Sequence, residues 1–342
     1  MKRALVTGGC GFLGSRLASA LERTGWEVRL LDRVPSLDGR RGERELVRAD
    51  VRDRAAVRAA ARGCEVVVDN AALVPVTRST AEEYRSVNVE GCRAALDAAE
   101  AEGAFALHIS SSAIYGIPRA VPVTPSTPLV PFEPYGRSKA AAERLVAERR
   151  AGGLPVASLR PRTLLGPERL GVFDIVFARV RAGGRVPVFG GGANRIQLCD
   201  VEDFCAAALA AIDRRANDDY NIGARTFGTV REDIEALIAH AGSAARVQPV
   251  PVWAIRAVLE PLAALGRSPF NEWHWRSAPT SFFFDTSKAG AELGWRARHS
   301  NVEALARAYD GYVKRSVPTG GSAHLQPLSG ALARALRGRS RS

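Results

Sequence analysis

Leu5-Val6-Thr7-Gly8-Gly9-Cys10-Gly11-Phe12-Leu13-Gly14, near the start of this 342-residue chain, is the stretch that decides the fold. An apolar run from Ala4 to Val6 leads into it and predicts a short buried strand. A helical pattern follows, with Leu17, Ala20 and Leu21 on one face. A strand, a glycine-rich turn and a helix in this order predict a phosphate-binding βαβ unit.

The three spaced glycines of this turn each have a predicted task. We expect Gly8 to allow a tight turn, Gly11 to let the backbone approach a pyrophosphate, and Gly14 to let helix and strand pack closely. An ordinary glycine-rich turn is the alternative. The prediction therefore depends on residues further along the chain.

Strand-like and helix-like segments alternate over the first half of the chain. This alternation predicts a Rossmann-type, doubly wound α/β fold with a parallel sheet and right-handed crossovers. The predicted strands are 4–6, 28–31, 46–47, 66–68, 106–109 and 156–159, and the predicted helices are 15–23, 54–61, 81–102 and 135–150.

After Pro161 the alternation loosens, and glycine pairs and triplets separate shorter segments. This pattern indicates a smaller, mixed α/β domain packed against the sheet. We predict a nucleotide-binding domain over residues 1–166 with a return segment at about 196–222. A mainly substrate-binding domain over 167–316 and a flexible basic tail over 317–342 complete the predicted organisation.

Composition narrows the classes of protein to consider. The chain is 46% hydrophobic and 25% charged, which suits a globular protein with a sizeable core. No apolar run approaches the ~20 residues of a membrane helix, and the N-terminus lacks the shape of a signal peptide. We therefore predict a cytoplasmic protein with no membrane partner. The five cysteines are scattered without metal-ligand spacing, so we predict reduced thiols and no metal site.

The net charge of +12 has two interpretations. Nucleic-acid binding is one of them, but no recognition motif accompanies the charge. We therefore predict no nucleic-acid partner and interpret the excess as a basic tail and a surface that attracts anionic small substrates. The tail arginines are Arg334, Arg337, Arg339 and Arg341.

Asp32 ends the second predicted strand, 24 residues after Gly8. A carboxylate at this position accepts hydrogen bonds from a ribose 2′-hydroxyl and repels a 2′-phosphate, which favours NAD over NADP. Arg33 follows directly and softens that preference. A carboxylate that only caps a helix or a loop is the alternative.

Tyr135 and Lys139 are the strongest catalytic candidates. They lie four residues apart on a predicted helix, so their side chains share one face. A free phenol has a pKa of ~10, and a neighbouring ammonium and an oxidised nicotinamide favour its phenolate form. The phenolate then takes a proton from a substrate hydroxyl while hydride leaves the carbon. The chain has only four lysines, which weakens the alternative of a chance pairing.

Ser111 is the predicted third partner. It follows the fifth predicted strand, where its hydroxyl can bond a substrate oxygen. Ser110 and Ser112 adjoin it on alternate faces, which leaves a one-residue doubt about which serine acts.

These motifs together resemble those of an extended short-chain dehydrogenase/reductase, and in particular the NAD-dependent sugar epimerase/dehydratase family. The likeness continues to about residue 315. The motifs that carry it are Thr7-Gly8-Gly9-Cys10-Gly11-Phe12-Leu13-Gly14, Asn70-Ala71-Ala72, Asn88-Val89-Glu90-Gly91, Ser110-Ser111-Ser112-Ala113-Ile114-Tyr115-Gly116 and Tyr135-x-x-x-Lys139.

The resemblance implies roles for individual residues. It makes Ser111, Tyr135 and Lys139 catalytic, places Asp50 and Val51 near the adenine of NAD, and implies a homodimer formed through helices 81–102 and 135–150. The implied cofactor contacts are Gly8, Gly11, Phe12, Leu13, Asp32, Arg33, Asp50, Val51, Ala71, Asn88, Tyr135, Lys139 and Pro161.

Substrate residues follow from the same resemblance. Arg195 and Arg276 resemble arginines that bind the diphosphate of a nucleotide sugar, because a planar guanidinium suits phosphate oxygens. Each has an ordinary surface arginine as its alternative. Ser111 and Ser112 are the predicted substrate contacts at the sugar.

This chain departs from two branches of the family at the positions after Ser111, which reduces the number of reactions to consider. The 4,6-dehydratases of the family carry an Asp-Glu pair after the catalytic Ser/Thr, and the decarboxylases carry a glutamate there. This chain has Ser112 and Ala113. We therefore predict an NAD-dependent nucleotide-sugar epimerase that oxidises and re-reduces C4. An NAD(P)-dependent dehydrogenase or reductase of a sugar or hydroxysteroid-like alcohol, and a non-catalytic NAD-binding protein, stay open as alternatives.

Overall fold

The computed structural model describes residues 2–34, 44–75, 79–167, 173–264 and 276–314, without the side chains of residues 258 and 262–264. The predicted basic tail at 317–342 lies outside the described residues.

The strands alternate with helices along the chain. In chain order they are β1 (Arg3–Thr7), β2 (Glu27–Asp32), β3 (Glu45–Arg48), β4 (Val66–Asp69), β5 (Phe105–Ile109), β6 (Val156–Pro161), β7 (Thr163–Leu165), β8 (Arg185–Phe189), β9 (Leu198–Asp200), β10 (Asp219–Ile222) and β11 (Arg246–Val250).

The helices lie between and after these strands along the chain. They are α1 (Phe12–Arg23), α2 (Arg54–Ala61), α3 (Ala81–Arg85), α4 (Gly91–Glu102), α5 (Pro134–Ala151), α6 (Phe173–Arg181), α7 (Val201–Asp213), α8 (Val230–His240), α9 (Val252–Ala264), α10 (Ser287–Leu293) and α11 (Asn301–Lys314).

Seven parallel strands form the central sheet in the order β10-β6-β5-β4-β1-β2-β3. The order reverses between β1 and β4, and at such a reversal the loops that follow the two strands diverge and leave a crevice. The predicted Rossmann-type fold is confirmed. The crevice lies at the carboxyl ends of the strands, where the predicted glycine turn also lies.

Both faces of the sheet are covered by helices, which explains why central strands such as β4 and β5 are buried along their whole length. Successive side chains of a strand point to opposite faces. Accordingly, Ala4 and Val6 belong to the core beneath α1 and α7, whereas Leu5 belongs to the core beneath α2, α4 and α5.

The remaining strands form two small parallel pairs, β7 with β9 and β8 with β11. Helices α6, α8 and α11 pack over a third core that contains Phe177, Val186, Leu237 and Leu305. Within the described residues, no helix combines the length and apolar character that crossing a membrane requires.

Two predicted helices differ from the observed ones. Helix α1 begins at Phe12 rather than Ser15, because its N-cap residue, Gly11, is extended and has no capping side chain that would mark the start. The predicted helix 81–102 is interrupted by a π-helical turn, Ser86–Glu90, between α3 and α4. Side-chain periodicity does not reveal such a turn, which here contains the buried amide of Asn88.

Candidate active site

The glycine turn between β1 and α1 leaves no room for a side chain at Gly8 or Gly14. Gly8 has a φ of 62°, in the left-handed region that favours glycine. A Cβ on Gly8 would also lie 2.8 Å from the Cα of Ala71, and a Cβ on Gly14 would overlap the carbonyl oxygen of Gly8. The turn therefore brings bare backbone to the N-terminus of α1, whose first N–H groups suit a phosphate.

The ends of β1 and β4 are joined directly beside this turn. The Thr7 hydroxyl accepts hydrogen bonds from the backbone N–H groups of Asn70 and Ala71, both at 3.1 Å. The Asn70 amide in turn donates to the carbonyl oxygens of Thr7 and Gly8. These side chains hold the two diverging loops together, and the only sequence signal for this was their place in the resembling motifs.

Asp32 lies against the glycine turn, as its predicted role requires. Its carboxylate accepts hydrogen bonds from the backbone N–H groups of Cys10 (3.0 Å) and Val34 (3.2 Å). The carboxylate is half-buried at the end of β2. Arg33 is exposed and directs its guanidinium towards Asp50, 3.6 Å from the carboxylate.

Asp50 is held mainly by Arg52. Two side-chain hydrogen bonds of 2.9 and 2.7 Å join the guanidinium to the carboxylate. The bonds from Arg52 lower the pKa of Asp50 to about 2, with a smaller contribution from the charge of Arg33. The carboxylate is therefore charged at neutral pH.

Several predicted cofactor contacts have side chains that pack against protein. Phe12 is buried in the core beneath α1, with Leu13 packed against the same core. Val51 is buried against Gly91, where a Cβ would lie 2.6 Å from the valine. Pro161 is buried at the end of β6. Any contact of Phe12 or Val51 with a cofactor is therefore made chiefly by backbone.

Asn88, a predicted cofactor contact, is hydrogen-bonded within the protein. Its side-chain oxygen accepts from the Leu73 N–H at 2.8 Å, and its nitrogen donates to the Leu73 carbonyl and to the Ser138 hydroxyl. Ser138 donates to the Tyr135 carbonyl at 2.7 Å. The amide thus links the loop after β4 to the first turn of α5.

The first turn of α5 carries Tyr135. Glu133 caps the helix by accepting hydrogen bonds from the N–H groups of Tyr135 and Gly136, and Pro134 occupies the first helical position. The tyrosine ring is buried and packs edge-on against Tyr84, with the ring centroids 5.9 Å apart. Sequence reasoning missed Glu133, although an acidic residue before Pro134 is a recognisable start signal for a helix.

Lys139 follows one helical turn later and is also buried. Its Nζ donates a 2.6 Å hydrogen bond to the carbonyl oxygen of Ile109, the last residue of β5. Burial lowers the pKa of Lys139, and the negative charge of Asp69 opposes that change. The side chain of Lys139 therefore reaches the carboxyl end of β5, where the predicted serine follows. Tyr135 packs in a small cluster with Ala113, two residues beyond that serine.

Asp69 belongs to a buried group that the sequence analysis missed. Its carboxylate lies 2.7 Å from His108 Nδ1, which is also 3.7 Å from the Cys92 thiol. Burial opposes ionisation of Asp69, but the hydrogen bond from His108 and the charges of His108 and Lys139 leave its pKa lowered. The ligand atoms of Asp69, Cys92 and His108 lie within 4.8 Å of one another. The ammonium of Lys139 acts on the same carboxylate and disfavours a metal cation there.

In the serine run, Ser110-Ser111-Ser112, the hydroxyls of Ser111 and Ser112 have different hydrogen-bond partners. Ser111 is half-buried, and its oxygen accepts from the Ala113 N–H at 3.2 Å, which caps the short 3-10 turn Ser112–Tyr115. The Ser111 hydroxyl is the acceptor in this bond, so its proton is available for donation to a substrate oxygen. Ser112, a predicted substrate contact, is buried instead and accepts a 2.8 Å hydrogen bond from Arg162.

The predicted diphosphate arginines are both exposed. Arg195 donates to the Phe227 carbonyl at 2.9 Å and lies over the rings of Phe227 and Phe283. Its guanidinium is thus engaged by these neighbours rather than by the serine run. Arg276 lies directly after the gap in the described residues.

Comparison with known proteins identifies the family. The sequence model of the NAD dependent epimerase/dehydratase family matches residues 4–223. The chain belongs to this family. The match includes the glycine turn, the serine run and the pair Tyr135 and Lys139.

Relatives of this epimerase/dehydratase chain differ in their reactions. It is 37% identical to the uncharacterized protein y4nG of Sinorhizobium fredii, over 96% of this chain and 84% of that protein. It is 30% identical to a dTDP-glucose 4,6-dehydratase of Streptomyces niveus, over 91% and 92% of the two chains. The crystal structure of a Stenotrophomonas UDP-glucose-4-epimerase with bound NAD and formylated UDP-arabinopyranose is 26% identical, with a TM-score of 0.76 and coverage of 91% and 98%.

The cofactor of the family is NAD, and the site in this member fits it. Gly8 and Gly14 leave a backbone cradle that a Cβ would fill, and Asp32 holds an acceptor beside that cradle. Lys139 lies at the carboxyl end of β5, and Tyr135 lies on the first turn of the same helix. These residues would hold the pyrophosphate, the adenine ribose and the nicotinamide ribose, respectively.

Proposed function

We propose that the protein is an NAD-dependent nucleotide-sugar epimerase that acts through a 4-keto sugar. The observation that carries the proposal is the hydrogen bond from Lys139 to the Ile109 carbonyl. It supports a site in which Tyr135, Lys139 and Ser111 serve one substrate hydroxyl. The C4 hydroxyl of the sugar is the group that we assign to it.

The chain's own groups move the proton. The ammonium of Lys139 favours ionised Tyr135, which takes the C4 hydroxyl proton while Ser111 donates a hydrogen bond to the oxygen. When bound, NAD supplies the hydride acceptor for C4 and then the hydride donor. The 4-keto sugar turns over within the site, and Tyr135 returns its proton to the oxygen as the opposite face of C4 is reduced. Proton and hydride are both returned, so the net reaction is isomerisation.

Elimination is not supported, although one relative is a dehydratase. A 4,6-dehydration needs an acid for the leaving hydroxyl and a base for the neighbouring carbon. The two positions that follow Ser111 are Ser112, whose hydroxyl is held by Arg162, and Ala113, which is buried. Neither residue has a carboxylate.

Turnover of UDP-, dTDP- and GDP-linked hexoses tests the proposal. We expect purified protein to convert one of them into its C4 epimer, detected by NMR, without net production of NADH. Tyr135→Phe should reduce kcat by about 10²-fold or more because the proton acceptor is lost. Tyr312→Phe removes a hydroxyl from the core beneath α6 and α11 and serves as the matched control.

Other outcomes would replace the proposal. Bulk NADH formation from an alcohol substrate, with cofactor lost during purification, would establish the dehydrogenase or reductase alternative. Unchanged behaviour of Tyr135→Phe in every assay would establish a non-catalytic NAD-binding protein.

Three properties of the whole protein are part of the same proposal. We infer a domain boundary near residues 166 and 167, a cytoplasmic location, and a homodimer formed through α3–α4 and α5. Limited proteolysis tests the boundary, and light scattering tests the dimer. A monomeric mass at micromolar concentration would contradict the dimer.

A further inference from the structure

Arg162 is a buried cation just beyond the end of β6, with 5% of its surface exposed. Its Nη1 donates to the Ser112 hydroxyl at 2.8 Å, whereas its buried Nε has no hydrogen-bond partner. The guanidinium carbon lies 4.1 Å from the ring centroid of Phe282 and 5.9 Å from that of Phe284. The aromatic rings orient the guanidinium and favour its charge, but they offer no acceptor for Nε.

Arg160, two residues earlier, is a buried arginine that has carboxylate partners. Its guanidinium bonds to the carboxylates of Glu143 and Asp219. Those bonds raise the pKa of Arg160 against the effect of burial. Burial instead lowers the pKa of Arg162 to about 9, and no ion pair in the described part of the chain includes this residue. A buried charge without a counter-charge is costly, which points to an anion from outside the chain.

The position of Arg162 indicates where that anion belongs. Its hydrogen-bond partner, Ser112, adjoins Ser111, the residue that we assign to the reacting hydroxyl. Phe282 and Phe284, which face the guanidinium, are buried, whereas Phe283 between them packs with Phe227 and Arg195. Arg162 therefore contacts Phe282 and Phe284, whereas Arg195, the predicted diphosphate arginine, contacts Phe283 between them. An anion that pairs with Arg162 would therefore lie near Ser111 rather than beside Arg195.

We propose that Arg162 binds a carboxylate on the sugar, so that the substrate is a nucleotide-linked uronic acid. This inference rests on the proposed epimerase function. Ser112 occupies Nη1, and the opposite edge of the guanidinium, Nε and Nη2, is the pair that binds the two oxygens of a carboxylate side by side. A hexose with a neutral CH₂OH group would leave the charge unpaired.

The experiment compares UDP-glucose with UDP-glucuronate, which differ only at C6. We expect the wild-type protein to turn over UDP-glucuronate with at least a tenfold higher kcat/KM. Arg162→Gln should lower kcat/KM for UDP-glucuronate by about 10- to 150-fold, the range for loss of a charged hydrogen bond. It should change the value for UDP-glucose by less than about threefold. Arg162→Lys should have a kcat/KM for UDP-glucuronate between that of the wild-type protein and that of Arg162→Gln. Arg58→Gln, on the exposed face of α2, should have the wild-type kcat/KM for both sugars.

Several results would overturn the assignment. Equal or better use of UDP-glucose by the wild-type protein is sufficient, even if Arg162→Gln fails to fold. If Arg162→Gln lowers kcat/KM equally for both sugars and also weakens the affinity for UDP alone, the guanidinium serves the diphosphate or only the packing. If neither sugar turns over, the epimerase proposal fails for these substrates. Calorimetric affinities of the wild-type protein for the two sugars then test the carboxylate site separately, and equal affinities would overturn it.

Discussion

The Nζ of Lys139 lies 2.6 Å from the carbonyl oxygen of Ile109, so a side chain of α5 is bonded to the backbone at the end of β5. This bond determines where the ammonium lies relative to Ser111, two residues further along the chain. It also removes the lysine from water, which makes its charge depend on the groups buried around it.

Asp69→Asn should shift the alkaline limit of activity to lower pH. Burial lowers the pKa of Lys139, and the charges of Asp69, Cys92 and Glu143 raise it, with that of Asp69 the largest of the three. Loss of the Asp69 charge lowers this pKa further, so the ammonium loses its proton at a lower pH. A kcat/KM profile against pH measures the shift. Asp213→Asn, at the exposed end of α7, should leave the profile unchanged.

Glu143→Gln should destabilise the fold and reduce its sensitivity to acid. Burial opposes ionisation of Glu143, but the hydrogen bonds from Arg160 hold its pKa at about 2. The unfolded pKa is ~4.3, so this stabilisation is complete above that pH and is lost as pH falls towards 2. We expect a loss of about 3 kcal/mol in unfolding free energy at pH 7.

Urea denaturation of Glu143→Gln at pH 7 and pH 3 provides the measurement. The variant should lose less stability than the wild-type protein between these two values. Glu148→Gln, on the exposed face of the same helix, is the matched control. A variant as stable and as acid-sensitive as the wild-type protein would contradict the role given to this carboxylate.

Gly14→Ala should abolish the retention of NAD. Its Cβ would overlap the Gly8 carbonyl oxygen, so the turn must open to accommodate it. Gly152→Ala at the end of α5 is the control, because its φ of −78° suits alanine and its Cβ would lie 3.4 Å from the nearest atom. Chromatography of the NAD released from each variant after gel filtration measures the retention of the cofactor, and the melting temperature measures the effect of the opened turn on stability. Equal NAD retention by both variants would rule out the cradle.

Asp32→Asn should reduce the preference for NAD over NADP. The asparagine keeps an acceptor for the Cys10 N–H, which holds the wild-type carboxylate at 3.0 Å, but it no longer repels a 2′-phosphate. We expect about a tenfold weaker affinity for NAD, which corresponds to loss of a charged hydrogen bond to the ribose. The ratio of NAD to NADP dissociation constants is the measurement, and an unchanged ratio would refute the assignment.

Local signals in the sequence predict much of this site. The apolar run, the glycines and the helix after them are contiguous, so β1, the turn and α1 follow from short-range pattern. Tyr135 and Lys139 also follow from spacing on one helix. Asp69 and His108 were not predicted because they meet only through the register between β4 and β5. In the sequence, each is one polar residue beside an apolar run.

Asn88 and Arg162 show a second limit of sequence reasoning. The task of Asn88 depends on a π-helical turn, whose extra residue leaves no trace in apolar periodicity. Arg162 is one of many arginines, and only its burial beside Ser112 and two aromatic rings distinguishes it. Both roles come from long-range packing, which composition and spacing do not encode.

The bonds between Thr7 and the loop after β4 have a consequence for ligand entry. They fix the loops after β1 and β4, which border the crevice, by bonds within the protein itself. The nucleotide therefore meets a preorganised groove, and its binding energy is not spent on ordering that part of the backbone. Conformational adjustment during turnover is then left to segments away from this turn.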